Sequence, residues 1–209
     1  MTGLGGEYIR VKRNKSGIIT YGGDQGFFSD ASADPEEVRK RRMGWGIVAF
    51  GALLLYVAGR NSQYRFKGSE CYVNRVLAEK EYKDYFDDRY AFLGGLSART
   101  RNGLSGFKLQ SRFNRMAKAE GWKLRAKWGF SGRRMYCRME EMLRKDIPVI
   151  LCIPLMIFKK DKKQGITFYK KEKDGYSKAC TVSAHYVVVT GIFKEHDGIY
   201  MSISSWGVK

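Results

Sequence analysis

Two histidines and four cysteines are the residues of this 209-residue chain best suited to nucleophilic or metal chemistry. His185 opens an apolar strand pattern, His-Tyr-Val-Val-Val-Thr-Gly over residues 185–191. His196 lies in Lys194-Glu195-His196-Asp197-Gly198 and reads as solvated. A lone histidine heading a strand is as a rule structural, because local hydrogen bonds satisfy imidazole easily. The chain's end, Ser204-Ser205-Trp206-Gly207, argues for more. In an antiparallel pair, facing residues keep a constant index sum. His185 faces Ser204 if the connection is centred on Lys194-Glu195, a loop of about six to eight residues and longer than the commonest hairpins. A tight turn at Asp197-Gly198 instead sets His185 opposite a residue beyond the chain end. In the first register a serine oxygen orients the imidazole and Trp206 shields that bond from water.

The cysteines at 71, 137, 152 and 180 are never two to four residues apart, which argues against a zinc site made of close pairs. Cys152 lies in an apolar run and reads as core. Cys71 stands two residues past the cap candidate Ser69, where a helix N-terminus would lower its pKa. Cys180 falls on the strand pattern of His185 with the opposite side-chain direction. The set reads as reduced thiols of a cytoplasmic protein.

The elements that must position these groups begin with residues 43–58, sixteen without a charge or a proline. A helix apolar on every side must be buried, in a core or in a membrane. Sixteen residues fall short of the ~18 expected of a membrane span, so the segment reads as the central helix of an α+β fold. The basic run Arg39-Lys40-Arg41-Arg42 before it keeps a membrane anchor as a rival reading. Asp34-Pro35-Glu36-Glu37 predicts an N-cap, a first-turn proline and first-turn acids for a short helix. The segments 7–12 and 18–21 predict edge strands, with a glycine-rich loop at 22–26. Helices are expected over 70–92, 106–120 and 131–145, the second stopped by Gly121. Residues 122–128 alternate apolar and basic side chains, as a half-buried strand does. Further strands are expected over 147–158, broken by Pro154, and over 180–190 and 199–206. An exposed, lysine-rich hairpin turns near Asp174-Gly175. Late strands joined by loops rather than helices make the fold α+β.

The run 185–191 followed by Ser204-Ser205-Trp206-Gly207 resembles the C-terminal half of papain-like cysteine peptidases, nearest the bacterial double-glycine, bacteriocin-processing branch. In that family a histidine begins such a strand and an Asn or Asp on the next strand orients it. The nucleophilic cysteine heads the central buried helix, where its thiolate gains from the helix dipole and a neighbouring imidazolium. A backbone N–H there and an upstream glutamine bind the oxyanion. The resemblance implies one papain-like domain over 1–209, with an N-terminal arm and oxyanion loop in 1–42, a helical half in 43–145 and a sheet half in 146–209. It implies peptide or amide hydrolysis as the parent reaction, a peptide or protein substrate, and no cofactor or metal. It carries His185 as base, Ser204 as orienter and Gln25 as oxyanion donor, although Gln25 lies twenty residues ahead of the nucleophile position. That position, in Trp45-Gly46-Ile47-Val48-Ala49, holds Trp45. Indole is no nucleophile and fills the cleft, so a pseudoenzyme or an inactivated form is expected. Ser204 brings no charge to its role. The chain ends soon after Trp206-Gly207, where family members continue, as a truncated form would.

The net charge is +18. Fourteen basic residues against three acidic ones lie between 99 and 145, and a second, lysine-rich group spans 159–178. Such a field attracts nucleic acid, anionic lipid or acidic protein, though charge alone names no partner. No zinc-finger spacing or RNA-binding sheet motif accompanies it. A non-catalytic basic binding module, for nucleic acid or an acidic partner, is therefore the rival to the peptidase-like reading, with a membrane-anchored protein third.

Overall fold

A computed structural model describes the chain apart from residues 30, 73–74, 96–102, 130–131, 154–164 and 197, and apart from the side chains at 132 and 133. The architecture is mixed α+β with antiparallel strand pairing throughout the described sheets except for a short parallel pairing of Val11-Lys12 with Leu77-Ala78. Its centre is helix α2, Trp45–Arg60, with twelve of its sixteen residues buried. Helix α1, Pro35–Met43, precedes it with Asp34 Oδ1 accepting the Glu36 N–H at 2.8 Å, the cap expected from the sequence. The two helices meet at Gly44 with a bend of 71°. A side chain has no room at that corner, since a Cβ on Gly44 would sit 2.3 Å from the Lys40 carbonyl oxygen.

One face of α2 rests on a four-stranded sheet. Strand β8, His185–Glu195, runs through its middle. On one edge β8 pairs with β5, Val149–Ile153, and farther along with β1, Thr2–Gly3. On the other edge it pairs with β9, Gly198–Ser204. Side chains alternate across a strand. Tyr186 and Val188 therefore join the α2 core, while Val189 packs with Met139 and Leu143 of helix α5, Gly132–Arg144, on the opposite face. A second small sheet combines β2, Arg10–Lys12, with β3, Ile19–Tyr21, and β4, Leu77–Ala78. Helices α3, Glu79–Phe92, and α4, Gly106–Ala119, complete the helical side. Strands β6, Ile166–Glu172, and β7, Gly175–Val182, form the expected hairpin turning at 173–174.

Three expectations need correction. The helix expected over 70–92 starts only at Glu79. Ser69 turns its hydroxyl back onto Phe66 instead of capping a helix, and buried Leu77 is taken by the pairing with Val11. The Ala78 N–H is received by Glu81 at 2.9 Å, and the helix begins there. Residues 122–128 keep their alternation but join no sheet, because side-chain amides of α4 take the backbone partners instead. The strand expected over 180–190 is two strands, divided at Ser183-Ala184. The Pro154 break, the far half of the 147–158 strand and the start of the lysine-rich stretch lie outside the described residues. No single helix among the described residues is long and apolar enough to cross a membrane.

Candidate functional site

The N-terminus of α2 meets β8 and the chain's end in one small cleft. Trp45 is the first residue of α2, and its indole lies edge-on to the His185 imidazole with ring centroids 5.3 Å apart. On its other side His185 stacks with Trp206, at 4.2 Å and 18° between planes. Phe168 of the hairpin approaches both, at 6.4 Å from His185 and 6.1 Å from Trp206. A hydrogen bond of 2.7 Å joins His185 Nε2 to Ser205 Oγ. No described residue bonds Nδ1. The cavity among these groups is about 20 Å³ and is also lined by Gln25, Ser204 and Gly23. That is room for about one water molecule.

The structure thus brings Trp45, His185, Gln25 and Ser204 to the lining of one cavity, but Ser204 does not orient the histidine. Its hydroxyl donates to the Tyr21 carbonyl at 2.9 Å, tying β9 to the loop that carries Gln25. The turn between β8 and β9 is tight, with Glu195 opposite Gly198. A bulge at Thr190 then shifts the register, so that Ser204 faces Val188. Beyond Ser204 the chain folds back, with Trp206 at φ 48° and Ser205 and Val208 exchanging backbone hydrogen bonds of 3.0 Å. This fold-back delivers Ser205 Oγ and the Trp206 ring to His185. Neither of the two registers considered from the sequence contained it.

Gln25 reaches the cleft on a short 3-10 turn, Gln25–Phe27, whose cap Asp24 accepts the Gly26 N–H at 2.7 Å. Buried Asp24 is also ion-paired to Arg13 of the neighbouring hairpin, a support absent from the sequence reading. The approach of this loop to β9 requires glycine at 22. Its φ is +84°, and a Cβ would lie 2.1 Å from Ser204 Oγ.

Burial lowers the His185 pKa to about 4, so the ring is neutral near pH 7. Among the described residues, no charged side chain lines the cleft. Gly44 supplies no side-chain cap to α2, and its carbonyl accepts the Ile47 and Val48 N–H groups, each at 2.9 Å. The cysteines supply no thiol to the cleft. All four are free, and none lines the cleft. Cys71 was expected to have a lowered pKa. Burial raises it instead, and its Sγ bonds the Gly68 carbonyl. Burial also raises Cys152 and Cys180, and the latter sits on β7, not on the His185 strand. Among the described residues no group of three or more His, Cys, Asp or Glu side chains is placed to hold a metal ion.

No family model, curated protein or solved structure matches the chain.

Proposed function

We propose that this protein is a catalytically silent, papain-like cysteine-peptidase scaffold, nearest the double-glycine branch, in which Trp45 stands where the nucleophile would be. One observation carries the reading: the side chain heading the buried helix and the histidine heading the late strand share one cleft, with ring centroids 5.3 Å apart. Gln25 lines the same cleft, in the place suited to an oxyanion donor. The Nδ1 of His185 is the nitrogen left for a nucleophile's proton, because Nε2 is bonded to Ser205. In the parent reaction a thiolate would attack a peptide or amide carbonyl, with His185 acting as base and then as acid. The chain as it stands holds its peptide or protein ligand without cleaving it, because indole offers no nucleophile.

The test is Trp45→Cys. We expect the new thiol to be alkylated by iodoacetamide well below pH 8, since a helix N-terminus and a nearby histidine both favour thiolate. Adding His185→Ala should return the rate toward that of an ordinary cysteine. Ordinary kinetics in the single variant, unchanged by the second substitution, overturn the reading.

A further inference from the structure

Outside the cleft, the molecule carries a row of cations that no carboxylate among the described residues neutralises. Residues 122–129 run back along α4. Asn114 receives the Ala126 N–H at 2.8 Å and donates to the Ala126 carbonyl at 3.1 Å, and Gln110 receives the Trp128 N–H. Two residues of the segment therefore match four residues of helix, a span of ~6 Å, so the segment is extended. Trp122, Leu124, Ala126 and Trp128 turn toward the protein, while Lys123, Arg125 and Lys127 are exposed. Alternate residues of an extended chain are about 6.6 Å apart. That puts three positive charges in a straight, evenly spaced line on a pinned backbone. On the exposed side of α4, Arg115 and Lys118 form a second row beside it.

None of these five side chains has an ion-pair partner among the described residues, whereas Arg10, Arg13, Lys40, Arg60 and Arg75 elsewhere all have one. Glu120 is the one carboxylate in residues 103–129. At the start of α4 the Phe107 ring is 59% exposed and leans on Trp128 at 6.3 Å between centroids. A line of unneutralised cations ending at an exposed ring is the arrangement that tracks a phosphate backbone and stacks a base. Among the described residues of this part of the molecule, Phe107 is the one large apolar side chain that is exposed, where a helix seated in a lipid interface would present a broad apolar face.

We propose that the α4 face, through Lys123, Arg125, Lys127, Arg115 and Lys118 with Phe107 at its end, binds single-stranded nucleic acid without sequence preference. This surface is separate from the cleft and does not depend on the peptidase-like reading.

The experiment is fluorescence anisotropy with a fluorescein-labelled 20-mer of deoxythymidine, read between 50 and 200 mM salt. With three to five phosphates neutralised, the log–log salt slope should be about −2 to −3.5. Lys123→Glu/Arg125→Glu/Lys127→Glu should weaken binding at least tenfold and flatten the slope by about 2. Phe107→Ala should cost about fivefold or more. The control Lys170→Glu/Lys171→Glu/Lys173→Glu changes net charge equally and should cost less than threefold. The glutamine versions of the first variant, with an unchanged thermal melt, guard against misfolding. Equal losses in the two glutamate variants would show diffuse charge and overturn the proposal. So would absence of binding at 50 mM salt, or displacement of the oligonucleotide by phosphatidylserine vesicles.

Discussion

The two ends of α2 face opposite chemical situations. At its N-terminus the helix meets a cleft of about 20 Å³, lined among the described residues by no charged side chain and closed by Trp45, His185 and Trp206. At its C-terminus it borders an open cavity of about 330 Å³ lined by Glu7, Arg10, Arg60 and Arg75 with Tyr56 and Tyr72. There Asp146, at φ 60°, accepts hydrogen bonds from Tyr56 at 2.6 Å, from Arg60 Nε at 2.6 Å and from the Gly5 N–H at 2.7 Å. One carboxylate thus ties the N-terminal arm, the end of α2 and the end of α5 together. The contrast separates two tasks. The charged end holds the elements in place, and the other end is nearly full.

The largest effect is expected at the charged end. Asp146→Ala removes the acceptor for three donors and places alanine at positive φ. A loss of about 3 kcal/mol should appear in urea unfolding, with Asp146→Asn keeping part of it. Burial raises the Asp146 pKa, but the bonds from Tyr56, Arg60 and Gly5 and the Arg60 charge outweigh it and hold the net value down. A carboxylate with a lowered folded pKa stabilises above its unfolded value and loses that contribution as pH falls through the folded one. The Asp146 contribution should therefore disappear below about pH 4.

The neutral end has its own pH signature, in a different window. The folded His185 pKa of about 4 lies below the unfolded value of about 6.5, so the unfolded chain binds the proton first. Stability should fall by up to about 3 kcal/mol as pH drops from 7 to 4. His185→Gln should flatten that part of a pH series of urea melts. Opening the cleft gives a smaller change. In Trp45→Ala, water reaches the ring, and the His185 titration followed by NMR should move up by about one unit. The smallest effect separates the two serines. Ser205→Ala should cost about 1 kcal/mol and shift the His185 titration. Ser204→Ala should cost a similar ~1 kcal/mol by freeing the Tyr21 carbonyl, yet leave that titration unmoved. A shifted titration in Ser204→Ala and none in Ser205→Ala would reverse the assignment.

Much of the frame was legible in the sequence because it follows from local rules. The apolar run at 43–58 had to be buried, Asp34-Pro35 had to start a helix, and Gly121 at φ +67° ends α4. The convergence of Trp45, Gln25 and His185 was legible only through a resemblance in order and motif. The Ser205 bond was not legible, because it needs the fold-back of the chain after Ser204, at Trp206 with φ 48°, on top of a one-residue register shift from the bulge at Thr190. Residues 122–128 were misread for a related reason. Their alternation records which side chains are buried and says nothing about whether a strand or two amides of α4 satisfy the backbone. The charged lock at Asp146 joins residues 5, 56, 60 and 146, a spacing that no pattern along the chain encodes.

The corner at Gly44 decides what kind of object the first sixty residues become. Drawn straight, residues 35–60 would make a rod about 39 Å long, a basic first third running into a greasy remainder. A hydrogen in place of a methyl group lets the rod fold at an elbow of 71°. The elbow leaves the second helix beginning inside the molecule, with its first side chain, Trp45, against His185. One wall of the socket is therefore the first residue past the elbow, turned in toward the strand and the chain's last turn.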